Sequence, residues 1–385
     1  MIVEPKVKGF ICTTAHPAGC EESVRRQIEY VKSHGKSEGF KNVLVIGAST
    51  GYGLASRINA AFKCGANTLG IAFEKEASKN RTATPGFYNT RAFEKFAKEE
   101  GLYAKSLNGD AFSKEMKEEA VKVIKEDLKQ VDMVVYSLAA PRRTTADNIT
   151  HVSVLKTVGS EFTNKTLDLR NNEITTASLP PATEEEIEAT VKVMGGEDWK
   201  DWIKYLKQEG VLADNAVTIA YSYIGPEITY PIYKDGTIGQ AKKHLCNTMD
   251  EINKEIEGVK AYVSVNKALV TQASAAIPVV PLYISILYKV MKDMGIHEGC
   301  IEQMERLFRE RLLSGDAKLD SERRIRLDDW EMREDVQSKV FEYWNKITTE
   351  NVTEYADIDG YWKDFYNMFG FGYDNIDYTE DVSID

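Results

Sequence analysis

A chain of 385 residues with 43% hydrophobic and 28% charged side chains can bury a sizeable core, and this composition excludes a largely disordered or fibrous protein. Its formal net charge of −11 gives a surface that repels phosphate polymers and anionic membrane, so neither nucleic acid nor membrane is expected as a partner. The five cysteines (Cys12, Cys20, Cys64, Cys246 and Cys300) are scattered without a C-x-x-C pair, which predicts reduced thiols, no structural disulfide, no metal and a cytoplasmic protein.

The N-terminus begins M-I-V-E-P-K-V-K, without the basic, apolar and small-residue succession of a signal peptide. Residues 7–13 have strand character and 20–31 helix character; these additions extend a sheet edge or close over a ligand. Residues 43–53 read V-L-V-I-G-A-S-T-G-Y-G, a buried strand, a tight turn and the opening of a helix. Apolar residues then recur at helical spacing through Leu54, Ile58, Ala61 and Phe62, followed by a second strand at 68–73. A helix at 91–100, a polar strand ending at Asp110, a helix at 114–130 and a strong strand at 132–139 continue the alternation. Strands alternating with helices of this length predict an α/β fold, a Rossmann-like doubly wound parallel sheet that binds ligands at the strands' C-terminal ends.

The rhythm breaks between 142 and 181, where β-prone pieces at 152–158, 162–169 and 173–177 predict a β-hairpin insertion able to help cover a pocket. A helix opens at Thr183, whose hydroxyl can cap while Glu186 reaches back, and another helix follows at 199–208. The parallel rhythm resumes with a strand at 216–223, a long helix at 238–256 and a strand at 260–265. Residues 277–290 are the most apolar stretch, too short to span a bilayer and interrupted by Pro278 and Pro281. Beyond them the chain reads as mostly helical, at 302–313 and 330–346, with an aromatic and then acidic end at 365–385. We read residues 1–385 as one enlarged domain, with a core at about 40–295, an insertion at 142–181 and a helical extension at 296–385.

The turn at 47–53 carries the first chemistry. Gly47, Gly51 and Gly53, spaced G-x-x-x-G-x-G with Ala48, Ser49, Thr50 and Tyr52 between them, leave bare backbone against which a pyrophosphate can sit, so a dinucleotide is expected there. The second strand ends at Phe73 and Glu74, where a carboxylate accepts hydrogen bonds from ribose hydroxyls and repels a 2′-phosphate. That favours NADH over NADPH, although Lys75 is placed to receive a phosphate. Gly109-Asp110-Ala111 and Ser137-Leu138-Ala139-Ala140 lie at equivalent strand ends, suited to adenine and to the nicotinamide ribose.

Residues 221–245 read Y-S-Y-I-G-P-E-I-T-Y-P-I-Y-K-D-G-T-I-G-Q-A-K-K-H-L. A reductase needs a phenol that hydrogen-bonds the oxygen gaining charge and a lysine that holds the ribose and favours the phenolate. Tyr230 with Lys234 has the Y-x-x-x-K spacing of a ketone or alcohol dehydrogenase, but Asp235-Gly236 cuts its helical turn short. Tyr233 with Lys242 is preferred, because a long helix fixes the lysine while the turn aims the phenol; Tyr223 points into the same cleft. After the next strand, the Thr271 hydroxyl and the backbone of Gln272 and Ala273 are placed to grip the nicotinamide carboxamide. A dinucleotide sensor without catalysis is the contrasting reading, and a positioned phenol and lysine weigh against it.

These pieces together resemble one family. G-A-S-T-G-Y-G at 47–53, Phe73-Glu74, S-L-A-A-P-R at 137–142, S-Y-I-G-P-E-I-T-Y-P-I-Y-K-D-G-T-I-G-Q-A-K at 222–242 and L-V-T-Q-A-S-A-A-I-P at 269–278 are similar to the bacterial NADH-dependent trans-2-enoyl-CoA reductases, relatives of the V-type enoyl-acyl-carrier-protein reductases. The resemblance spans nearly the full length. It implies proton donation by Tyr233, substrate contact by Tyr223, cofactor contact by Lys242, and a flavin-free monomer. The expected substrate is a short 2-enoyl thioester, on CoA or, as the open alternative, on acyl carrier protein.

Overall fold

Val43, Leu44, Val45 and Ile46 are fully buried, as a central parallel strand covered on both faces requires. A computed structural model describes residues 1–8, 11–138, 140–271, 274 and 277–385. Its chain begins with β1 (Val7–Lys8) and β2 (Ile11–Cys12), then α1 (Pro17–Ser33). The first nucleotide-binding half follows as β3 (Asn42–Ile46), α2 (Gly51–Ile58), β4 (Asn67–Ala72), α3 (Pro85–Glu99), β5 (Ala104–Asn108), α4 (Lys114–Val123) and β6 (Val131–Tyr136). Wider turns prolong α2 through Asn59–Lys63 and α4 through Ile124–Leu128.

Two hairpins occupy the expected insertion. They are β7 (Arg142–Thr144) with β8 (Thr150–Val152), and β9 (Phe162–Asp168) with β10 (Glu173–Leu179). Most of the run at 152–158 is therefore loop rather than strand. Next come α5 (Glu184–Met194), α6 (Glu197–Gln208), β11 (Leu212–Ser222), α7 (Thr237–Glu255) and β12 (Val259–Val265). The Thr183 and Glu186 capping box at the start of α5 forms as predicted. The remainder is α8 (Val280–Asp293), α9 (Cys300–Leu307), β13 (Ile325–Arg326), α10 (Glu334–Lys346), α11 (Val352–Tyr355) and α12 (Ile358–Asn367).

The main sheet has seven strands in the order β13-β12-β11-β6-β3-β4-β5, all parallel. This is the predicted doubly wound arrangement, with its crossover point beside β3, where crevices for ligands form. One face packs on α4, α6 and α7, the other on α1, α2, α3 and α9. A third apolar cluster joins α8, α10, α12 and the β9–β10 hairpin at the C-terminal end of the sheet.

Two expectations are corrected. Among the described residues, the N-terminal strands pair with each other and do not extend the main sheet, whose edges are β5 and β13. The helix predicted at 330–346 begins at Glu334, since Asp328 is tied by its N–H to the Val265 carbonyl (3.0 Å) and the chain turns before it can coil. The C-terminal extension is mostly helical, and Ile325–Arg326 adds a strand beside β12. Among the described residues, no helix is long and apolar enough to cross a membrane.

Candidate active site

Backbone geometry explains each glycine of the first turn. Gly47 adopts φ +85°, and a Cβ there would stand 2.2 Å from the Ser137 carbonyl oxygen, so only glycine brings the turn this close to β6. A Cβ on Gly53 would stand 1.8 Å from the Gly47 carbonyl oxygen, so the first turn of α2 sits directly on the end of β3. Gly51, at φ +55°, faces open space, and Thr50 caps α2 without a side-chain hydrogen bond. Exposed N–H groups at a helix start, with no Cβ above them, fit a pyrophosphate. Ala48 is buried and donates its N–H to the Ile71 carbonyl (2.9 Å), locking the turn to β4.

Beside this turn Glu74 is held rigidly. Its Oε1 accepts from the Ser49 hydroxyl at 2.6 Å and its Oε2 from the Thr84 hydroxyl. Its backbone N–H donates to Asn108 Oδ1 (2.7 Å), and Asn108 Nδ2 donates to its carbonyl (3.0 Å). A Cβ on Gly86 would lie 2.1 Å from Glu74 Oε1, so that glycine makes room for the carboxylate. Phe73 is 78% exposed, an aromatic face left bare at the end of β4 and available to stack on a base. Asp110 turns the chain after β5 by accepting from the Phe112 N–H (2.9 Å), and the Ala111 carbonyl accepts from buried Trp202 (3.1 Å). Leu138 follows β6 next to Gly47.

Tyr52 does not turn its hydroxyl toward the open side of the turn. It bonds the Lys267 carbonyl at 3.0 Å and lies 3.1 Å from Gln303 Oε1, tying α2 to the loop after β12. The Thr271 hydroxyl is engaged in its own turn, accepting from the Ser274 N–H (3.1 Å). Ala139, Gln272 and Ala273 lie outside the described residues.

At the end of β11 the aromatic ring of Tyr223 meets that of Tyr233 edge to face, with centroids 4.6 Å apart. Gly225, at φ +73°, bends the chain where a Cβ would lie 2.6 Å from the Tyr223 hydroxyl. Gly239 has a comparable purpose: a Cβ there would lie 2.2 Å from the Tyr233 carbonyl oxygen, so α7 can close on the turn that aims Tyr233. The Tyr233 hydroxyl has no hydrogen-bond partner among the described residues. Lys242, partly buried on the second turn of α7, donates its ammonium to the Tyr221 carbonyl at 2.9 Å. The other pair is arranged differently: Lys234 is exposed, its ammonium lies 4.2 Å from the centre of the Tyr230 ring, and both residues precede α7, which begins at Thr237.

Burial dominates the electrostatics here. It pushes the Tyr223 and Tyr233 phenols above their ordinary range, and the nearby negative charge of Glu331 adds to both. Burial and that charge both favour the protonated phenols. Burial lowers the Lys242 ammonium to about 8. Glu331, which no local sequence signal marks, accepts from the Tyr223 hydroxyl at 3.0 Å and the Tyr283 hydroxyl at 2.6 Å. Among the described residues no cluster of side chains is suited to hold a metal ion.

A doubly wound sheet with a glycine turn for a dinucleotide, and two phenols and a lysine at the end of its fifth sequential strand, defines a reductase of the short-chain type. Comparison with known proteins sharpens that class. Residues 81–313 match the family model described as the trans-2-enoyl-CoA reductase catalytic region, and residues 2–79 match the NAD(P)H binding domain of trans-2-enoyl-CoA reductase. The chain is 58% identical to a trans-2-enoyl-CoA reductase (NADH) of Clostridium perfringens, with 100% of this chain and 99% of the relative covered. It is 57% identical to an enoyl-acyl-carrier-protein reductase (NADH) of Flavobacterium psychrophilum, with 100% and 98% covered. The solved structure of Treponema denticola trans-2-enoyl-CoA reductase in complex with NAD superimposes with a TM-score of 0.96 at 51% identity, covering 99% of this chain and 98% of that one. The chain belongs to the trans-2-enoyl-CoA reductase family and is an oxidoreductase.

Residues 319–382 match a third model, described as an enoyl reductase FAD binding domain. Within this stretch Trp344, Tyr361, Phe365, Phe369 and Phe371 are buried in the cluster around α8, Tyr343, Tyr355, Trp362 and Tyr366 pack half-buried against it, and Phe341 is exposed.

Proposed function

We propose that this protein reduces the C2–C3 double bond of short-chain 2-enoyl-CoA thioesters with NADH, with Tyr233 as proton donor. The carrying observation is the Tyr223–Tyr233 pair, two protonated phenols in contact at the C-terminal end of β11, one with its hydroxyl free of described partners. The glycine turn and Glu74 would hold NADH, which would supply hydride to the β-carbon when bound. Negative charge then moves to the thioester oxygen, where a phenol hydrogen bond from the Tyr223–Tyr233 pair stabilises the enolate. Tyr233 gives its proton to the α-carbon. Lys242 anchors the nicotinamide ribose and adds positive charge.

The reading also includes one functional unit of 385 residues, acting as a cytoplasmic monomer without flavin; its five free thiols suit a reducing compartment. Relatives named for CoA and for acyl-carrier-protein substrates are equally similar, so the carrier is the point to test. Turnover of a crotonyl thioester is measured on CoA and on acyl carrier protein. A higher kcat/KM on CoA supports the reading, whereas preference for the carrier protein would make this a fatty-acid-synthesis reductase.

A further inference from the structure

Glu331 lies in the loop before α10, fully buried, and plays no part in the steps above. Its Oε1 accepts from the hydroxyls of Tyr223 (3.0 Å) and Tyr283 (2.6 Å), and its Oε2 accepts from the Ala268 N–H (2.8 Å). Buried Lys267 donates its ammonium to the adjacent Ala268 carbonyl at 3.0 Å, placing a positive charge beside the carboxylate. A carboxylate in so dry a place persists only with this kind of donor set, so its orientation is fixed from three sides.

A phenol has one proton to give. While the Tyr223 hydroxyl donates its hydrogen bond to Glu331, it offers only lone pairs to the cleft, and its neighbour Tyr233 retains a proton for the substrate. We propose that Glu331 is a positioning residue of the reductase: it accepts the hydrogen bond of the Tyr223 hydroxyl, holds that ring against Tyr233, and so assigns donation to Tyr233. This inference rests on the reading of Tyr223 and Tyr233 as the site phenols.

Glu331→Gln tests it. An amide that keeps its oxygen toward the Ala268 N–H turns its NH₂ toward the phenols, reversing the hydrogen bond to Tyr223 while preserving shape. With NADH and crotonyl-CoA, kcat falls about tenfold through misdirected hydrogen bonding, while the NADH Kd is unchanged. In a Tyr223→Phe background the same substitution causes no further fall, because the hydroxyl it steers is gone. A purely structural Glu331 gives equal losses in both backgrounds, which would overturn the inference, as would a wild-type kcat for Glu331→Gln beside a slow Tyr223→Phe. Wild-type turnover by Tyr223→Phe itself would instead overturn the site reading beneath it. If Glu331→Gln fails to fold, Tyr283→Phe replaces it: a smaller fall in kcat that vanishes in the Tyr223→Phe background supports the inference, and an unchanged kcat or additive losses refute it.

Discussion

A carboxylate held by two hydroxyls cannot swing aside when a 2′-phosphate arrives. Ser49 and Thr84 each occupy one oxygen of Glu74, and Gly86 leaves no gap behind it. At the 4 Å scale of such a contact, like charges cost on the order of 1–4 kcal/mol between fully hydrated and protein-surface conditions. Replacing Glu74 by Ser is therefore expected to raise kcat/KM for NADPH relative to NADH by about tenfold or more, measured as paired steady-state assays. An unchanged ratio would remove Glu74 from cofactor choice. Glu74 was legible in the sequence because it directly follows an apolar strand. The two hydroxyls that immobilise it were not: Thr84 lies in a loop whose path only the folded chain reveals.

At the scale of an element, the junction of β3 and α2 depends on backbone approaching backbone. A methyl group on Gly53 would meet the Gly47 carbonyl at 1.8 Å, and neither partner is a side chain that can rotate away. Gly53→Ala is predicted to destabilise the fold by about 1–3 kcal/mol, the usual cost of overpacking, and to weaken NADH binding at least tenfold. Thermal melting and NADH fluorescence titration read the two effects; binding at wild-type strength would show that the turn does not hold the dinucleotide. This junction is encoded within eleven consecutive residues, which is why a sequence pattern finds it. The capping box at Thr183 is equally local. The boundary at Glu334 is not, because the loop before it is pinned by a contact to β12 rather than by its own residues.

Across the whole molecule, the main sheet runs through segments matched by all three family models, with β3 and β4 in the NAD(P)H-binding segment, β5, β6, β11 and β12 in the catalytic segment, and β13 in the C-terminal segment. The site is assembled likewise: Glu331 bonds Tyr223 across 108 residues of sequence, and nothing in its neighbourhood announces it. Sequence reasoning marks the glycine turn and the Y-x8-K spacing because each is a contiguous pattern, and it passes over Glu331, Lys267 and Tyr283 because only tertiary packing gathers them. Turnover of crotonyl-CoA by NADH in Tyr233→Phe and Tyr230→Phe, with NADH binding measured on each, tests the central claim most directly. The account predicts that Tyr233→Phe lowers kcat by about 100-fold or more, as loss of a general acid does, while Tyr230→Phe stays near wild type and both bind NADH normally. A fast Tyr233→Phe beside a slow Tyr230→Phe would contradict it.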